Sequence, residues 1–123
     1  MPAKCDVFKI LRQNEVLAIL STGTFLGSPD DRRDGFIHLS AADQVGGTLR
    51  KHFTGGGPLF LLAACADELL PHLVWEPSRG GKLFPHLYTP LRMQDVKAII
   101  PIPDEVPDDF PFSAFPVAQG ASK

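Results

Sequence analysis

A chain of 123 residues, 44% hydrophobic and 21% charged, has the size and composition of one globular domain. Its formal net charge of −2 excludes a global field that would draw it non-specifically onto nucleic acid or acidic lipid. The most apolar run, Leu59 to Ala66, is too short to cross a membrane, and the N-terminus lacks the apolar core of a secretory signal. Cys5 and Cys65 form neither a Cys-x-x-Cys pair nor a zinc spacing, so a reduced, cytoplasmic protein is expected.

Val7 to Leu11 reads as a first strand. Asn14 then looks like an N-cap, with Val16, Leu17 and Leu20 forming a helix face and Gly23 the stop. From Thr24 to Gly35 the chain is rich in Gly, Pro, Asp and Arg and reads as a surface loop. Phe36 to Leu39 is a second, short strand. Ser40, with Asp43 three residues on, makes a capping box for a helix whose Ala41, Val45, Leu49 and Phe53 recur every fourth residue. Gly46 and Gly47 lie inside that helix, each costing ~1 kcal/mol relative to Ala, which points to close packing against the sheet or a ligand.

Gly55-Gly56-Gly57-Pro58 breaks the chain before Leu59 to Ala66, a continuously apolar strand expected to be central and buried on both faces. Asp67 to Leu70 is a turn or short helix, and Leu73 to Glu76 is another strand, ended at Pro77. Leu83 to Leu91 is irregular or partly extended, and Val96 to Ile100 closes the sheet. Five of the twelve prolines fall between Pro101 and Pro116, among Phe110, Phe112 and Phe115. Residues 1–103 are therefore read as one α+β domain with a mostly antiparallel sheet and two main helices. Residues 104–123 are read as a Pro-rich, partly disordered tail.

The chemistry is spread out. Gly55-Gly56-Gly57 precedes a strand, whereas phosphate loops follow one, and Gly80-Gly81-Lys82 lacks the flanking residues of a Walker loop. His38, His52, His72 and His86 show no metal-ligand spacing, so no metal site is expected. Ser40 sits in no nucleophile elbow, and Cys65 reads as an inert core thiol. There remain Lys9, His38, Ser40, Trp75, Glu76, His86 and Tyr88, most of them in or at the end of a strand. Alternation turns His38 away from the face of Ile37 and Leu39, towards a cleft. It also sets Phe84, His86 and Tyr88 on one shared face. The alternative for these last residues is an edge strand with an aromatic rim.

Together, "DGFIHLSAADQV", "LVWEP", "KLFPHLYTPL" and "VKAIIPI" resemble the bacterial family called domain of unknown function 952, from about Val7 to Pro103. More distantly the chain is similar to the ADP-ribosyltransferase superfamily, through the His38-Leu39-Ser40 junction into a helix, as in RNA 2′-phosphotransferases. That resemblance implies a split, mixed sheet with a cleft for NAD or another ADP-ribosyl or nucleotide-like ligand. The first strand departs from it, because "VFKIL" offers only Lys9 where those enzymes carry His-Gly-Thr. In such a cleft Glu76 and His38 would be catalytic, Glu76 stabilising positive charge on a ribose. Lys9, Ser40, Trp75, Phe84, His86 and Tyr88 would bind the ligand, the aromatics by stacking. The alternative function is a non-catalytic module, with a degenerate site, that binds a ligand or a partner protein.

Overall fold

The computed structural model describes residues 5–53 and 57–103. The expected disordered tail lies outside the described residues. The β-branched and apolar run Val7–Arg12 forms strand β1, and Gln13–Thr22 forms helix α1 directly after it. The residue at the N-cap is Arg12 rather than Asn14, and its backbone N–H donates to Glu15 Oε1 at 2.8 Å. Gly23 closes α1 in the left-handed region (φ 81°), a conformation that glycine adopts without steric cost. Val16 and Ile19 are the buried face of α1. Leu17 and Leu20, expected to be inside, are exposed.

The supposed loop from Thr24 to Gly35 is structured. It holds strand β2 (Thr24–Phe25) and helix α2 (Pro29–Asp34), followed by strand β3 (Ile37–His38). After β3 the chain makes an isolated bridge, Ser40 to Phe8, and a 3-10 turn at Ala42–Gln44, and then helix α3 runs over Val45–His52. Ser40 is therefore no N-cap. Gln44 Oε1 accepts the Ala41 N–H at 2.8 Å, while Ser40 Oγ is paired with Thr48 Oγ1 at 3.2 Å. The glycine pair in α3 makes no close approach to the sheet. A Cβ on Gly46 would meet only the end of Arg50, and one on Gly47 would meet nothing within 4 Å.

Strand β4 (Leu59–Ala64), helix α4 (Ala66–Leu69), and strands β5 (Leu73–Pro77), β6 (Leu83–Leu87), β7 (Leu91–Arg92) and β8 (Val96–Pro101) complete the described chain. Three small sheets result, in the orders β1-β4-β8, β2-β7 and β3-β6-β5. Among the described residues every pairing is antiparallel, so the sheet there is split but not mixed. As its apolar run demands, β4 is the central strand, with Leu61 to Ala64 buried.

The two faces of β1 and β4 feed two cores. Phe8, Ile10, Leu61 and Ala63 pack with Val45 and Leu49 of α3. Val7, Leu11, Leu62 and Ala64 pack with Val16 and Ile19 of α1 and with Ile37, Leu39, Leu73 and Leu87 of the β3-β6-β5 sheet. This second core holds the two larger sheets together, and Lys9 emerges on the same face of β1 as Val7 and Leu11.

Candidate functional site

Helix α2 starts on the chemistry of its own first turn. Ser28 Oγ accepts the Asp31 N–H at 3.3 Å, Asp31 Oδ2 accepts the Ser28 N–H at 2.9 Å, and Pro29 occupies the first turn. With six residues and no apolar face, α2 cannot be held by hydrophobic burial. It is held by Asp31, whose side chain is only 2% exposed. That carboxylate takes the Lys9 ammonium at 3.1 Å and the His38 backbone N–H at 3.1 Å. It also lies 2.6 Å from His38 Nδ1. Burial pushes the Asp31 carboxyl upward, but the His38 ring and the Lys9 ammonium outweigh it and hold the group well below the usual carboxylate range.

His38 is fully engaged by this arrangement. Its Nε2 lies 3.0 Å from Asp34 Oδ2, so each ring nitrogen faces a carboxylate oxygen. Lys9 is committed too, since its ammonium also donates to the His38 carbonyl at 3.0 Å. Asp34 in turn is bound by Arg33 Nε at 3.1 Å, and it is held below its ordinary value by Arg33 first and His38 after it.

His86 stands directly opposite His38, because β3 and β6 pair them in register. Their ring centroids are 5.6 Å apart, and Phe36 touches both: it stacks on His86 at 4.1 Å and tilts against His38 at 4.7 Å. His86 Nδ1 lies 2.7 Å from Glu76 Oε1, and the Tyr88 hydroxyl donates to that same oxygen at 2.7 Å. The two contacts, His86 before Tyr88, hold the Glu76 carboxyl below its usual value, and Glu76 raises that of the Tyr88 hydroxyl. Nε2 of His86 has no hydrogen-bond partner among the described residues.

A cleft of about 320 Å³ runs between these groups and α3. Five of the eight residues read from the sequence line it: Lys9, His38, Ser40, Phe84 and His86. Glu76 and Tyr88 are not among the lining residues, but they are attached to the cleft through His86. Trp75 is a correction. It pairs with Pro85 and so lies on the opposite face of β5 from Val74 and Glu76, which pair with His86 and Phe84. Sequence reasoning missed Asp31, Asp34 and Phe36, and also Thr48 and Lys51 on the α3 side of the cleft. Ser28-Pro29-Asp30-Asp31 carried a readable signal, an N-cap Ser, a Pro, and an acid at the third helical position.

Among the described residues no helix is long and apolar enough to cross a membrane, and no group of three or more His, Cys, Asp or Glu side chains could hold a metal ion. The family model described as "Protein of unknown function (DUF952)" matches residues 10–99. The crystal structure of protein CC0527 from Caulobacter crescentus is 43% identical and superposes with a TM-score of 0.77, over 85% of this chain and 90% of that one. The solution NMR structure of the same protein is 41% identical, with a TM-score of 0.73 over 89% and 94%. No curated protein matches.

Proposed function

The chain belongs to the DUF952 family, and from that premise we propose that its cleft binds a nucleotide-like ligand of the NAD or ADP-ribosyl type. The reading rests chiefly on one observation: an oriented imidazole, His86, shares one cleft with hydroxyls and the Lys51 ammonium. Ser40, Thr48 and Ser78 supply the hydroxyls, and Lys51 on α3 supplies a cation for a phosphate. Phe84 offers an apolar surface in the same lining.

Between transfer chemistry and binding alone, the geometry favours binding. A ribosyl cation needs a carboxylate facing it, and Glu76, the residue suited to that task by the resemblance, is occupied by His86 and Tyr88 outside the cleft lining. A non-catalytic module whose ancestral site is degenerate is thus the second reading of function, and it differs from an enzyme only in turnover.

Thermal melts with NAD, ADP-ribose and 5′-AMP test the reading. A ligand that binds only the native state adds roughly 2.7 kcal/mol at a hundredfold excess over its Kd, so the midpoint should rise by several degrees. A midpoint unmoved by all three contradicts it. Release of nicotinamide from NAD would restore catalysis.

A further inference from the structure

The two cleft histidines differ in what their ring nitrogens can still do. His38 has a carboxylate at each nitrogen, Asp31 at 2.6 Å and Asp34 at 3.0 Å. His86 has one, Glu76 at 2.7 Å on Nδ1, and its other nitrogen has no protein partner among the described residues. A carboxylate accepts and never donates, so in the neutral ring Nδ1 carries the hydrogen and Nε2 is left with its lone pair. Resting on the reading of this cleft as a ligand site, we infer that His86 is its hydrogen-bond acceptor and that the group it accepts from is an O–H, either a sugar hydroxyl or a water molecule.

Three features fix the ring for that task. Glu76 sets the tautomer, as a carboxylate does behind a catalytic imidazole. Tyr88 donates to the same Glu76 oxygen at 2.7 Å and so limits its rotation. Phe36 stacks on the ring at 4.1 Å, and His86 is only 5% exposed, so the imidazole has little freedom to turn. The contact is a hydrogen bond: the ligand O–H stays whole and donates its hydrogen to the Nε2 lone pair. His86 is the group that touches the ligand, whereas Glu76 and Tyr88 are positioning residues.

The test is the imidazole nitrogen spectrum of the uniformly labelled full chain. The assignment requires a hydrogen on Nδ1 of His86 and a bare Nε2, and a hydrogen found on Nε2 with Nδ1 bare would overturn it. Glu76→Gln should turn this single tautomer into a mixture, and an unchanged spectrum would remove Glu76 from the role. If ADP-ribose raises the thermal midpoint, the same addition should move the Nε2 resonance as an accepted hydrogen bond does. A nucleotide that binds and leaves Nε2 unmoved contradicts the inference. Should no nucleotide raise the midpoint, the nucleotide reading falls by itself and the tautomer decides this one.

Discussion

His38 and His86 are cross-strand partners on one face of one sheet and both line the cleft, yet His38 has a carboxylate at each ring nitrogen, whereas His86 keeps one nitrogen without a partner among the described residues. The difference comes from what stands behind each ring. His38 is pressed against α2, a helix with no hydrophobic anchor, and helps to hold that helix through Asp31 and Asp34. His86 is backed by a single glutamate from the neighbouring strand β5. Two identical side chains at paired positions thus take different sets of hydrogen-bond partners from their neighbours.

The largest effect is expected at Asp31. Asp31→Ala leaves the Lys9 ammonium buried without its carboxylate and should cost about 3–5 kcal/mol in denaturant unfolding. The same carboxyl sets a pH dependence. Its value is depressed in the folded chain, so its stabilisation is present above the unfolded value near 4 and is lost as pH falls towards the folded one. Asp31→Asn should therefore be less stable at neutral pH and should flatten the acid limb of the stability curve. An unchanged acid limb would show that Asp31 is not the group responsible.

His38→Ala removes the ring but leaves Lys9 on Asp31, and it should cost less, about 1.5–3 kcal/mol for hydrogen bonds to charged groups. Gly47→Ala should act in the other direction, stabilising α3 by about 0.5–1 kcal/mol, because the added Cβ meets nothing and the backbone is already helical. If it instead abolished ligand binding, the glycine pair would belong to the site. Tyr88→Phe should be the mildest change. Unfolding midpoints should barely move, while the Glu76 carboxyl, having lost one donor, should titrate closer to its ordinary value in a carbon-detected NMR titration.

What could be read from the sequence was whatever hydrophobic pattern encodes. The run from Leu59 to Ala64 announced a central strand, and Ile37 and Leu39 announced the buried face that leaves His38 on the other side. Alternation likewise put Phe84 and His86 together, and it already implied that Trp75 and Glu76 face opposite ways. The partners of His38 were invisible to that method. Helix α2 is six residues of Pro, Asp and Arg, anchored by ion pairs whose other members, Lys9 and His38, come from different strands. Apolar periodicity cannot register such an anchor, and only the capping signature at Ser28 hinted at it. Ser40 misled for a related reason: a serine before a helix suggests a cap, but here the chain makes a bridge to Phe8 and a 3-10 turn before α3 begins.

Whether His38 braces the fold while His86 serves the ligand is tested by thermal melts of His38→Gln and His86→Gln with and without ADP-ribose. His38→Gln should lower the midpoint of the free protein by more than His86→Gln does and should still respond to ADP-ribose, whereas His86→Gln should lose that response. A His38→Gln protein that melts like the parent but no longer responds, beside a His86→Gln protein that still does, would contradict both expectations.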